Sequence, residues 1–387
     1  MSISDSRSTA LWTTISDALD IPQSLYTKAA DRHVAIGEFL MREGSLLRPF
    51  DPDVRPQGSF RYGTVIRPLD DGDEYDLDHV VVLHRIDPRC TSQQQVKALL
   101  GHELRQYAAQ HKMSAPTEHK RCWRMPYRDE VGFHLDSLPS IPAGVDFVAA
   151  LNARGVDPTW ASVAIAITDR THRLYSSPSL DWRESNPRGF ARWFESHAMR
   201  GRDPRMLDGI RAGTIEEVPT FRWRSPLQRA IQIMKRHRDV MFRQSPELKP
   251  ISMIITNTAA HAYREERDVA SALRNIIAGM PKYVRDVAPF VPNPTHPAED
   301  YADKWSANRT LRTNFFAWHA QLSATVDRLS QPLTRIDPKH LWEQFEVELS
   351  GSHLSALELY APAIHVASGL DTSAPSRVIA GPKPWGC

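Results

Sequence analysis

The sequence predicts an α+β protein, a mixed sheet with helices in its first half packed on a helical lobe in its second. Three observations carry this. Strand-sized apolar runs, Val80–Leu83 and Val163–Ile167, fall in the first half with a helical stretch between them. From residue 225 onward the apolar spacing is that of helices. The 387 residues suffice for two lobes at roughly 100–200 residues each. The expected division is a catalytic unit with an N-terminal helix over 1–215, a helical lobe over 216–366 and a flexible Ser-, Gly- and Pro-rich tail over 367–387.

Residues 22–42 read as a helix. Pro22 suits its first turn, and Leu25, Ala29, Val34, Ile36, Phe39 and Leu40 form a broad apolar stripe. A turn-rich stretch follows over Pro49–Arg61. Thr64–Arg67 and Leu77–Leu83 are strand-like, separated by the acidic segment that ends at Glu74. Residues 94–110 have helical period. Residues 120–127 and 132–138 read as two strands joined at Asp129-Glu130, and Ser162–Thr168 as a further strand. In the second half 225–243 is an amphipathic helix, with Ser225 as cap and Pro226 at its first position. Residues 251–263, 267–279, 302–328 and 340–350 are also helical by pattern.

Composition excludes several classes. Lys plus Arg is 48 and Asp plus Glu is 46, a net charge of +2, which argues against a coat for long nucleic acid. No apolar run approaches the ~20 residues of a membrane span, and residues 1–12 lack the charged-then-apolar pattern of a leader. Cys90, Cys122 and Cys387 are too few and too far apart for a disulfide framework or a zinc site, so a reducing, cytoplasmic setting is expected.

The informative stretch is 57–83, QGSFRYGTVIRPLDDGDEYDLDHVVVL. Asp76 and Asp78 stand at i and i+2 on a strand, so both carboxylates face one way. Adjacent carboxylates raise each other's pKa, and a divalent cation between them removes the conflict. Oxygen-only ligation favours Mg²⁺ or Mn²⁺ over zinc. Asp136, a lone acid in the apolar segment FHLDSLP, is the third candidate ligand, because an unpaired carboxylate there is costly. Asp73 and Glu74 compete for this role but lie in a loop without a following apolar strand. Gly58-Ser59 supplies a turn where backbone approaches a phosphate closely. It is not a Walker loop, since no Gly-Lys-Ser/Thr follows.

Gly-Ser, an Asp-x-Asp strand and a third strand Asp together resemble the polymerase-β-like nucleotidyltransferases. GSFRYGTVIRP, EYDLDHVVVL and FHLDSLPSIP are more closely similar to the bacterial cyclic GMP-AMP synthase/DncV-like nucleotidyltransferases, or CD-NTases. WRESNPRGFARWF, LQRAIQIMKRHRD with KPISMIIT, and NPTHPAEDYADKW extend the resemblance over about residues 20–330. The sixteen residues between Ser59 and Asp76 exceed the spacing in many nucleotidyltransferases. The resemblance implies a polymerase-β-like core and an active site in the cleft between the lobes. It implies that Asp76, Asp78 and Asp136 hold two Mg²⁺ ions, with Mn²⁺ as a substitute. Gln57, Gly58, Ser59, Lys235 and Ser252 would bind the nucleotide triphosphate.

The implied product is a cyclic di- or trinucleotide second messenger, made from ATP and from GTP or pyrimidine triphosphates with release of pyrophosphate. It would act on a separate effector in anti-phage (CBASS) signalling, with the C-terminal tail a docking or conjugation site for a partner. Neither a membrane nor nucleic acid is required. Two other readings stay open: a template-independent nucleotidyltransferase acting on an RNA end, protein or small molecule, and an inactive nucleotide-binding module.

Lys235 fits a phosphate ligand whose stem packs in an apolar helix face, or a solvated lysine beside Arg236 and Arg238. Ser252 fits a cleft ligand or a satisfied buried hydroxyl. The basic and aromatic run Arg121–Arg128 reads as a strand with one polar face rather than a stacking surface. His79 and His134 adjoin the acids and are expected to point away from them. The aromatics at 182, 190, 193 and 194 read as core.

Overall fold

A computed structural model gives the architecture over residues 3–70, 74–127, 132–199, 215–219, 221, 224–330, 338–347 and 353. Helices α1 (Ile3–Leu19) and α2 (Gln23–Met41) open the chain. α2 buries Leu25, Ala29, Ile36, Phe39 and Leu40 of the stripe its spacing predicts, with Val34 only partly covered, and Pro22 is its cap. Strand β1 (Pro52–Gln57) leads directly into the one-turn helix α3 (Gly58–Tyr62), and β2 (Tyr75–Leu83) follows. The turn-rich reading of 49–61 is thereby corrected. Pro52 and Pro56 are accommodated because β1 lies at the sheet edge, where among the described residues its outer side meets only an isolated bridge from Val54 to Ile215.

Helix α4 (Gln93–Gln110), β3 (Thr117–Glu118), β4 (Trp123–Tyr127) and β5 (Phe133–Pro142) complete the central sheet in the order β1-β2-β5-β4-β3. Among the described strands β2 and β5 pair in parallel, while β1 with β2 and β4 with β5 are antiparallel. The turn expected at Asp129-Glu130 lies outside the described residues. Helices α5 (Val145–Ala153) and α6 (Pro158–Ala161) precede β6 (Ile165–Ile167), which pairs with the end of β5 and with β7 (Arg183–Ser185). Helix α7 (Pro187–Ala198) ends the first half.

The described part of the second half is helical apart from one hairpin. It comprises α8 (Pro226–Met241), α9 (Ser252–Ala262), α10 (Val269–Gly279), the β8 (Pro292–Asn293) and β9 (His296–Asp300) pair, α11 (Arg309–Ser330) and α12 (Pro338–Phe345). Ser225 caps α8 in a reciprocal box with Gln228, with Pro226 at the first position as the sequence predicts. The helix expected over 302–328 begins at Arg309, after a single 3-10 turn at Asp303–Trp305.

Two large hydrophobic cores organise the described residues. One face of the sheet, through Leu77, Val81, Leu135 and Met125, packs on α2 and α4. The other core joins α8–α11 with α1 and α7, around Trp12, Ile231, Ile255, Leu273 and Trp318. Trp182, Phe190, Trp193 and Phe194 are all buried, as read from sequence.

Thr64–Arg67 is not a strand. The carbonyls of this stretch face α8 instead of a neighbouring strand. Gln228 Nε2 donates to Tyr62 O, Lys235 Nζ to Thr64 O and Gln232 Nε2 to Val65 O, each at 2.8 Å. Arg224 Nε donates to Gly63 O at 3.1 Å and Arg236 Nη2 to Arg67 O at 2.6 Å. These side chains satisfy acceptors that a ladder would otherwise serve.

Candidate active site

Strand β2 alternates as a half-buried strand must. Tyr75, Leu77, His79, Val81 and Leu83 enter the core, and Asp76 and Asp78 take the opposite face. The parallel register of β2 on β5 sets Asp78 across from Asp136 and Asp76 across from His134. The fold therefore gathers all three sequence-picked carboxylates on one sheet face. Burial pushes the Asp78 carboxyl up to about 7, with the charges of Asp136 and Asp76 adding to it. Asp76 is also raised, by desolvation first, with Asp136 and Glu74 adding and Arg124 and His134 opposing.

Arg124 was not legible as part of this site. β4 buries Trp123 and Met125 and presents Arg124 on the acidic face. Its Nε and Nη2 donate to Asp136 Oδ1 and Oδ2, both at 2.8 Å, and Nη2 stands 3.8 Å from Asp76. Such a bidentate fork is a strong charge-assisted pair. Among the described residues no group of three His, Cys, Asp or Glu side chains converges as a metal cage. The donor set itself fits a hard divalent cation. It is all oxygen, and it contains a carboxyl whose ionisation its neighbours resist until positive charge arrives.

His134 corrects an expectation. Two residues from Asp136 on one strand, it shares the acidic face, where its Nε2 pairs with Glu74 Oε2. His79 does point away, into the core against His33 at 5.4 Å between ring centroids. Of the two loop competitors, Glu74 is thus engaged by His134, and Asp73 lies outside the described residues.

Gln57 ends β1 directly across from Asp78. Gly58 follows with φ +69°, and a Cβ there would strike the Asp78 carboxylate. Only glycine meets both demands. Ser59, half-buried in the first turn of α3, accepts from the Thr64 amide at 2.9 Å through its carbonyl. Gln57, Gly58 and Ser59 therefore border the acids.

Lys235 is buried at 5% exposure, which removes the solvated reading. Its ammonium donates to Thr64 O, one hydrogen bond from Ser59 along the chain. Desolvation lowers its pKa to about 7, helped by the charge of Arg238. Ser252 opens α9, and its Oγ accepts from Arg238 Nη1 at 2.9 Å. Arg238 and Lys249 share Asp239. Ser252 thus sits in a cationic cluster whose field reaches Lys235. Val80 and Val82 continue the acidic face into a cavity of about 140 Å³ that Arg55, Gln57 and Arg188 also line.

Comparison with known proteins places this geometry. Residues 52–139, from β1 through β5, match the nucleotidyltransferase domain of the cyclic GMP-AMP synthase DncV-like family. A c-di-GMP synthase of Roseivirga ehrenbergii is 26% identical over 312 residues, 79% of this chain and 74% of that protein. Residues 52–139 thus form a nucleotidyltransferase domain of the kind found in the bacterial CD-NTases. The chain is a nucleotidyltransferase. The cyclic dinucleotide synthase CdnG of Bradyrhizobium diazoefficiens is also 26% identical, over 77% of this chain and 70% of the relative. Its structure with GTP superposes with a TM-score of 0.64 at 19% identity, covering 92% and 98% of the two chains. The CdnC:HORMA complex of E. coli MS115-1 contains a chain of the same fold, with a TM-score of 0.56, 13% identity and coverage of 88% and 98%. No helix among the described residues is long and apolar enough to cross a membrane.

Proposed function

We propose that this chain acts as a CD-NTase, joining nucleoside triphosphates into a cyclic di- or trinucleotide and releasing pyrophosphate. One observation carries the reading: Asp76, Asp78 and Asp136 share a sheet face bordered by Gly58-Ser59. The named activities of the two curated relatives support the cyclic product. Asp76 and Asp78 would hold one Mg²⁺, and all three aspartates a second, with Mn²⁺ as a substitute. Bound there, the ions would neutralise triphosphate charge and lower the pKa of an acceptor hydroxyl. Asp136 would offer its remaining lone pairs to the ion, with Arg124 orienting its carboxylate.

Gln57 and Ser59 would orient the triphosphate beside the acids, with Gly58 allowing close approach. Lys235, Ser252 and the Arg238 cluster would supply positive field from the helical side. ATP, and GTP or a pyrimidine triphosphate, are the expected substrates in a cytoplasmic setting. The cyclic product would act on a separate effector in anti-phage signalling. A partner at the C-terminal tail belongs to the same reading, but the tail lies outside the described residues.

Labelled triphosphates supplied with Mg²⁺ and no acceptor test this. A small, phosphatase-resistant product is expected, with its bases and ring size read by mass spectrometry. The double variant Asp76→Ala/Asp78→Ala should lose at least 10³-fold in rate with its circular dichroism unchanged. Equal product from the variant overturns the site, and labelling only of an added RNA or protein overturns cyclisation.

A further inference from the structure

We infer that the helical half carries a second ligand site, for a nucleoside phosphate, at a cavity between α9 and the β8–β9 hairpin. The cavity holds about 320 Å³ and is lined by Asn257, His261, Lys282, Tyr283, Arg285 and Asn293 together with hairpin prolines. That is the size of a small-ligand pocket.

Three independent features select the ligand. His261 and Tyr283 stack at 4.9 Å with an interplanar angle of 14°, and Trp193 backs His261 at 4.8 Å. Tyr283 is 36% exposed, so a braced aromatic ring offers a platform on which a nucleobase stacks. Asn257 is 1% exposed. Its Nδ2 donates to Pro292 O at 3.2 Å, while its buried Oδ1 has no hydrogen-bond partner among the described residues. A ring N–H or exocyclic amine of a base satisfies that acceptor. Lys282 and Arg285 stand exposed on the rim with no ion pair among the described residues, and no carboxylate lines the cavity. Two unneutralised cations suit a phosphate.

The site is distinct from the cleft proposed above. Asn257 and His261 follow Ser252 by five and nine positions, about 140° and 180° around α9 at roughly 100° per residue. They face away from the side that presents Ser252. Binding here does not depend on the three aspartates. A nucleoside phosphate could be the linear triphosphate or the cyclised product, so the site would sense one or the other.

The test uses the full chain carrying Asp76→Ala/Asp78→Ala, in EDTA, labelled with 8-azido-ATP and mapped by mass spectrometry. Label is expected within residues 257–297. It should fall at least fivefold on Tyr283→Ala and at least tenfold on Lys282→Glu/Arg285→Glu, both surface changes whose folding is checked by circular dichroism. Protection by ATP at lower concentration than by cyclic di-GMP marks the linear source, and the reverse marks the cyclic one. No label in 257–297 at millimolar probe, or label indifferent to both variants, overturns the site.

Discussion

At the scale of single residues, Lys235 shows how burial and ligand binding oppose each other. Its folded-state pKa is lowered to about 7 from 10.5, chiefly by desolvation. The unfolded chain therefore binds more protons between those values, and stability from this group rises as pH climbs from about 7 to about 10.5. Below pH 7 the ammonium imposes its full cost, on the order of a few kcal/mol. Lys235→Met should thus be more stable than wild type at pH 6.5, with the gap closing by pH 10. Denaturation midpoints at the two values check this, and a gap independent of pH refutes it. The same variant should bind ATP at least tenfold more weakly at pH 7. The alternation that placed Asp76 and Asp78 on one face was readable from their spacing alone. Arg124 was not, because its role depends on which strand lies beside β5 and in what register. His134 differs: its two-residue spacing from Asp136 on β5, a signal the sequence itself carries, puts it on the acidic face.

At the scale of elements, α8 carries the most information. Its cap, first-turn proline and apolar stripe were all legible, since each is a local signal. Its polar residues were not, because their partners are carbonyls some 170 positions earlier. That long-range satisfaction is what keeps 64–67 from forming the strand its β-branched residues suggest. Local propensity yielded to a tertiary hydrogen-bond network. The cap can be tested separately from the network. The Ser225 hydroxyl accepts from the Gln228 amide at 3.2 Å. Ser225→Ala should cost about 1 kcal/mol, read as a lower urea midpoint at constant slope, and Ser225→Asn should restore most of it. Loss without rescue by Asn would mean that the hydroxyl acts through packing rather than as a cap.

At the scale of the whole molecule, the near-neutral charge resolves into segregated sets. Three acids sit on the sheet face, and Lys235, Arg238 and Lys249 gather on the helical side. They cancel in the sum of +2 while giving small anionic substrates a local field. The same architecture bears on folding. The two cores are separate as apolar clusters, yet buried polar contacts cross between them. Arg61, from α3 beside the sheet, pairs with Glu195 of α7, and Arg224 reaches Gly63 O, Tyr26 Oη and Asp20. The α8 side chains add Thr64, Val65 and Arg67. Opening one core would strand these acceptors in the other, and each buried orphan costs about 1–3 kcal/mol. The chain should therefore unfold in one calorimetric transition, with calorimetric and van't Hoff enthalpies in agreement. Gln232→Ala removes a crossing donor, to Val65 O, without touching either apolar cluster or the Ser225 cap. It should lower the melting temperature and push the enthalpy ratio above one as the cores begin to melt separately. Two resolved transitions in the wild-type chain would show that the crossing contacts do not couple the cores. An unchanged ratio in the variant would assign the coupling to the arginine contacts instead.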